Sequence, residues 1–190
     1  MRKNIVLCGV GGQGTVLASK LIAAASIIEG YPVMSAETIG MAQRGGSVFS
    51  NLRIGEGVHS PMIADHTADL IIGFEPGEAV RMLHFLKPDG VVVTNKKTVV
   101  PTSASLTGFV YEADVMIDYL KSHCGKLVVV DGDAAAEKLG SPKILNTVLL
   151  GAAYRSGVLG LSKDSIKRAM SNHIKEKLLP LNLEAFSYEN

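Results

Sequence analysis

The stretch CGVGGQGTVLASKLIAAA, residues 8–25, decides how the rest of the chain is read. Its first half contains Gly9-x-Gly11-x-x-Gly14, the glycine spacing of a dinucleotide-binding loop. Just before it, NIVLCGV (residues 4–10) is a short apolar run that ends in glycines, the pattern of a buried strand. Residues 15–29 are helix-compatible and apolar nearly all round, which describes a helix packed against a sheet, and Gly30 is placed to end it. Strand, glycine turn and buried helix together form the opening unit of an α/β domain.

The same alternation continues. Residues 32–36 read as a second strand, 37–46 as a glycine-punctuated loop, and 47–54 as a half-exposed strand with Val48, Leu52 and Ile54 on one side. Residues 68–74 form another buried strand, followed by a helix over 78–86, and KPDGVVVTN reads as a turn and then a strand. Residues 99–110 are weakly patterned, 114–122 are helical, and 127–130 are a buried strand closing on Asp131. Beyond residue 134 helices alternate with Gly and Ser breaks. Residues 146–155 are buried in character, 163–174 are amphipathic, and 180–190 form an arm that packs on this chain or on a partner. The expected fold is α/β: a Rossmann-like, mostly parallel sheet with helices on both faces, in a single domain over 1–190 whose C-terminal third is helical.

Composition narrows the function. The chain has 190 residues, 47% hydrophobic and 5% aromatic, with 20 Gly and no Trp, so small apolar side chains do most of the packing. Nineteen Lys and Arg against 18 Asp and Glu leave no basic footprint for nucleic acid or a membrane surface. The start MRKN-IVLC has the look of a signal peptide, but Gly9, Gly11 and Gly12 interrupt its apolar run. No apolar stretch reaches the roughly 18 residues of a membrane span. A soluble, cytoplasmic protein is expected. Two cysteines, Cys8 and Cys124, are too few for an iron–sulfur cluster or a structural zinc site.

The glycine loop admits two readings. Its free N–H groups at a helix start suit a phosphate, and Glu37 stands near the place where a dinucleotide fold binds ribose hydroxyls. The alternative is a tight strand-to-helix turn with no ligand. Gln13 offers an amide that can donate outward or reach a neighbouring chain. A second constellation, Gln43-Arg44-Gly45-Gly46-Ser47, sets a planar fork of donors beside two glycines just before a strand. That arginine suits a phosphate or carboxylate, or it caps a turn. The candidate binding residues are therefore Gly11, Gly12, Gln13, Gly14, Arg44, Gly45, Gly46 and Ser47, with no catalytic or metal-ligating residue assigned.

Other candidates carry less. His59, His66, His84, His123 and His173 have no metal-binding spacing, and Gly-x-Ser-x-Gly is absent. Glu75 and Glu78 follow a strand at the ligand-binding edge of an α/β sheet, but a Glu-Pro turn also suits a helix start electrostatically. Asp131-Gly132-Asp133 reads as a strand-end turn, and Lys167, Arg168, Lys175 and Lys177 as a solvated face.

Taken together, GVGGQG, AQRGGSV, Phe74-Glu75-Pro76 with Glu78-Ala79 and Arg81, KPDGVVVTN, and Asn146 with Leu150-Gly151 resemble the gamma subunit or domain of 2-oxoacid:ferredoxin oxidoreductases. The resemblance spans residues 4–160, and Gly40-Met41-Ala42-Gln43-Arg44 is most similar to the small (beta) subunit of the indolepyruvate type, with the pyruvate and 2-oxoglutarate types close. Gly77 departs from the pattern, where members often carry a larger residue. The resemblance implies oxidative decarboxylation of a 2-oxoacid to an acyl-coenzyme A with electrons passed to ferredoxin. It implies no cofactor bound by this chain alone. Thiamine diphosphate, Mg and [4Fe-4S] clusters would sit in a larger partner subunit, since neither the thiamine motif nor the thiolates are here. Coenzyme A becomes a shared ligand near the glycine loop and Arg44. A chain parted from such a partner would expose apolar surface and could self-associate. The alternatives from the residues alone are a stand-alone NAD(P)- or ATP-binding enzyme and a non-catalytic scaffold.

Overall fold

The computed structural model describes residues 1–38, 46–101, 104 and 110–189. A six-stranded sheet runs in the order β2-β3-β1-β4-β5-β6, where β1 is Lys3–Val10, β2 Val33–Thr38, β3 Ser47–Ile54, β4 Ala68–Gly73, β5 Leu86–Asn95 and β6 Lys126–Val130. The pairs β1–β4, β4–β5 and β5–β6 are parallel, while β3 runs antiparallel to both its neighbours, β1 and β2. The sheet is thus mostly parallel, as expected, but β3 occupies the place beside β1 that a dinucleotide fold gives to its second strand.

Alternation along β1 sorts the two faces. Ile5 and Leu7 join Leu52, Ile54, Leu70, Ile72 and Val93 in one apolar layer; Val6 and Cys8 join Ile71 and Val92 in the other. The first layer is covered by α1 (Thr15–Ile28), α4 (Gly132–Leu139), α5 (Leu145–Arg155), α6 (Lys163–His173) and α7 (Leu179–Phe186). The second lies under α2 (Pro76–Arg81) and α3 (Ala113–His123). No helix among the described residues is long and apolar enough to cross a membrane.

Several elements differ from the sequence reading, each for a physical reason. The helix expected over 78–86 stops at Arg81 and gives way to a single 3₁₀ turn, Leu83–Phe85, because Leu86 is drawn into β5 beside Ala68. The KPDG segment belongs to that strand, with a register shift between Ala68 and Leu70 absorbing it. Strand β3 is less exposed than its alternation suggests: Ser50, Asn51, Leu52 and Ile54 are buried, since the strand has a partner on each side.

The C-terminal segment folds onto this chain as α7. Arg155 donates to the carbonyls of Phe186 and Tyr188, Thr147 Oγ1 donates to Asn182 Oδ1 at 2.6 Å, and Phe186 is buried. At the other end of α1, Glu29 Oε1 accepts from Ser162 N (2.7 Å) and Ser165 Oγ (2.6 Å), locking α1 to the start of α6. Burial pulls the Glu29 carboxyl upward, but the bonds from Ser165 and Ser162 outweigh it and hold the group below the usual range.

Candidate functional site

The parallel strands end on one edge of the sheet, and the described members of the predicted binding set, Gly11, Gly12, Gln13, Gly14, Gly46 and Ser47, gather there. The glycine loop leaves the end of β1. Gly12 and Gly14 have φ of 97° and 93°, the left-handed region that glycine enters without strain, and this lets the chain turn directly into α1. Gly14 has a second constraint, because a Cβ there would lie 3.2 Å from Asn146 Cβ on α5. Close helix packing at this glycine is therefore against another helix. The residue that admits close approach to the sheet is Gly9, where a Cβ would lie 2.7 Å from both Phe74 Cβ and Gln13 Oε1.

Gln13 does not point outward. Its Oε1 accepts from Val10 N at 2.7 Å and its Nε2 donates to the Phe74 carbonyl at 3.3 Å, so it closes the loop on itself and ties it to the end of β4. Gly11 N–H is likewise taken, by the Gly46 carbonyl at 3.0 Å. Among the described residues the N–H groups of Gly12 and Gly14, and those of Thr15, Val16 and Leu17 before the first helical bond from Ala18 N to the Gly14 carbonyl, have no partner. They are the donors left for a ligand.

These donors edge a cavity of about 360 Å³ lined by Gly11, Gly12, Gly14, Thr15, Val16, Glu37, Thr38, Val48, Phe49 and Ser50. Although β3 separates β2 from β1, Glu37 near the end of β2 still reaches the same cavity as the glycine loop. The cavity thus has donors on one side, a carboxylate on another, and Val16, Val48 and Phe49 as apolar surface. Such a lining suits a ligand with a phosphate at the loop and hydroxyl or amine hydrogens toward Glu37. Arg44 and Gly45 lie outside the described residues. Ser47 is described but does not line the cavity; its hydroxyl turns to Glu78 Oε2 at 2.5 Å.

Next to this cavity the turn from β4 into α2 carries a buried acidic pair. Glu75 accepts from Glu78 N at 2.8 Å as the helix N-cap, with Pro76 following and Glu78 in the first turn, so the expected helix-start role is present. Sequence reasoning missed the rest. Tyr111 OH donates to Glu75 Oε2 at 3.2 Å, and Arg81 Nε lies 3.3 Å from Glu78 Oε1. Burial raises Glu75 above the ordinary carboxyl range against the pull of its hydrogen bonds, and burial beside Glu75 pushes Tyr111 up to about 12. Cys8, fully buried, is held far up by burial and then by Glu78 and Glu75, so it remains a thiol. A Glu-Pro-x-Glu start signals the cap in sequence, but nothing local signals a tyrosine from residue 111.

The remaining candidates keep their plain roles. His59 and His66 are exposed, and Asp131 caps α4 by accepting from Ala134 N at 3.0 Å. Among the described residues no group of His, Cys, Asp and Glu is arranged to hold a metal ion.

The family described as pyruvate ferredoxin/flavodoxin oxidoreductase matches residues 4–188. The indolepyruvate oxidoreductase subunit IorB of Archaeoglobus fulgidus is 38% identical over 186 residues, covering 97% of this chain and 92% of that protein. The crystal structure of a keto/oxoacid ferredoxin oxidoreductase gamma subunit from Geobacter sulfurreducens superposes with a TM-score of 0.69 at 22% identity, over 97% of this chain and 94% of that one. A 2-oxoglutarate:ferredoxin oxidoreductase from Magnetococcus marinus, solved with 2-oxoglutarate, coenzyme A and succinyl-CoA bound, gives a TM-score of 0.72 at 22% identity. There the likeness covers 97% of this chain but 30% of the other, so the same fold also occurs as part of a longer chain.

Proposed function

The chain belongs to the pyruvate ferredoxin/flavodoxin oxidoreductase family, and on that premise we propose that it contributes a binding wall for coenzyme A rather than redox chemistry. It is the small subunit of a 2-oxoacid:ferredoxin oxidoreductase, of the kind found in the indolepyruvate enzymes. The reaction assigned to its complex is oxidative decarboxylation of an aryl 2-oxoacid such as indolepyruvate, yielding carbon dioxide, an acyl-coenzyme A and electrons for ferredoxin. Thiamine diphosphate with Mg supplies the carbanion chemistry and [4Fe-4S] clusters the electron transfer when bound, and both are assigned to a larger partner subunit. The two cysteines here support that division, because Cys8 is sealed in the core and Cys124 is remote from it in sequence. The family match over residues 4–188 supports treating 1–190 as one domain.

The observation that carries the coenzyme A reading is the cavity itself: unpartnered loop N–H groups, Glu37 and apolar side chains line the same space. A phosphate would be bound by Gly12, Gly14 and the start of α1, with Arg44 supplying the counter-charge and Glu37 accepting from a hydroxyl. Gly11, Gln13, Gly46 and Ser47 act one step back, holding the loop and β3 in place.

The reading is tested in the reconstituted complex. Val16 is 38% exposed at the cavity, so Val16→Glu adds a negative charge without disturbing the core. It should raise KM for coenzyme A about tenfold with kcat nearly unchanged, and Arg44→Ala should do the same. Unchanged KM in both variants, with normal subunit assembly, overturns the assignment.

A further inference from the structure

A chain of hydrogen bonds runs behind the cavity from the 110–112 segment to the glycine loop. Tyr111 OH and Glu78 N both donate to Glu75 Oε2; Ser47 Oγ donates to Glu78 Oε2; and one residue before Ser47, the Gly46 carbonyl holds Gly11 N–H. The cavity residues Val48, Phe49 and Ser50 begin one residue after Ser47. From the other side, Gln13 reaches the Phe74 carbonyl, immediately before Glu75. Apart from the local cap between Glu75 and Glu78, every link joins segments distant in sequence. At the centre is a carboxyl group with no exposed surface, whose Oε1 makes no well-formed hydrogen bond, although the Val99 backbone N–H lies near the carboxyl.

We propose that Glu75 is a positioning residue for the glycine-loop cavity, acting through Glu78 and Ser47, and that its neutral form holds the cavity wall closed while its ionised form loosens it. Glu78 is already engaged by Arg81 and Ser47. A charge on Glu75 would place a second carboxylate beside it in a buried setting, with one oxygen making no well-formed hydrogen bond. The titratable or charged groups facing Glu75 are Glu78 and Arg81 from α2, Cys8 from β1 and Tyr111. Tyr111 and Cys8 are both held far from ionising, and Arg81 is already engaged. Glu75 is therefore the member whose charge changes as pH rises.

The consequence for turnover rests on the cavity being the coenzyme A site; the clasp itself does not. Hydrogen exchange in the assembled complex tests the clasp on a pH series that starts at the ordinary carboxyl value of about 4.3 and runs upward, since Glu75 is raised above it. After correction for intrinsic base catalysis, wild-type exchange at residues 10–14 and 46–50 should rise about tenfold over that range. Glu75→Gln, which keeps the shape and an acceptor, should abolish the rise while retaining the protection seen at low pH. Ser47→Ala should lose about tenfold protection at every pH. A flat wild-type profile, or the same rise in Glu75→Gln, overturns the proposal whatever the kinetics do. If exchange behaves as expected, KM for coenzyme A should climb with pH in the wild type and not in Glu75→Gln. Expected exchange with a pH-indifferent KM upholds the clasp and overturns the coenzyme A assignment instead.

Discussion

Gly77→Ala offers the sharpest test of the packing behind the site. Gly77 sits in α2, where alanine should be favoured by about 0.8–1.0 kcal/mol on helix propensity alone. In this protein a Cβ at Gly77 would fall 2.0 Å from Tyr111 OH and 3.0 Å from Glu75 Oε2. The tyrosine must leave, and Glu75 Oε2 loses one of its donors. Loss of a hydrogen bond to a buried carboxyl costs about 1.5–3 kcal/mol, so the net effect should be destabilising by about 1–2 kcal/mol. For a chain of this length that is a fall of several degrees in Tm, at roughly 2–4 °C per kcal/mol. Urea unfolding of the two single variants and of Gly77→Ala/Tyr111→Ala gives a double-mutant cycle. In the Tyr111→Ala background the same Gly77 substitution should change sign and stabilise by about 1 kcal/mol. An equal cost in both backgrounds would refute the reasoning, since the clash would then not act through Tyr111.

Two further outcomes test the frame that supports the site. A Cβ on Gly151 would lie 2.1 Å from the Phe186 carbonyl, so Gly151→Ala should push α7 away from α5 and cost about 2 kcal/mol by urea unfolding. Wild-type stability in that variant would mean that α7 is not seated as described. Glu29 is held below the ordinary carboxyl range, so its stabilising effect is present above the unfolded pKa of about 4.3 and fades as pH falls through the lower folded value. Glu29→Gln should therefore cost about 1 kcal/mol at pH 7, discounted for partial exposure, with the gap to wild type closing in acid. A gap independent of pH would show that the ionised carboxylate is not what Ser162 and Ser165 bind.

Much of the fold is legible in the chain because its signals are local. Residues 4–10 can bury all their side chains only as an interior strand, and β1 covers them. The apolar run after Gly14 can satisfy its backbone only as a packed helix, and α1 follows. The glycines mark the turn correctly because left-handed backbone at Gly12 and Gly14 is a property of those residues themselves. What fails is whatever depends on a neighbour distant in sequence. Leu86 reads as the end of a helix until Ala68 is set beside it, and residues 47–54 read as half-exposed until a strand pairs on each side.

The candidate site divides in the same way. Sequence by itself determined the α/β class and the glycine loop, because each rests on residues a few positions apart, and it pointed to the family through short motifs that keep their order along residues 4–160. Only the tertiary structure decided that Gln13 turns inward to Phe74, that Glu37 lines the same cavity as the loop although a strand lies between, and that Tyr111 reaches the carboxyl that caps α2. The physical reason is that a polar side chain goes where burial leaves a partner unsatisfied, and which groups become buried together is settled only when the sheet edge assembles.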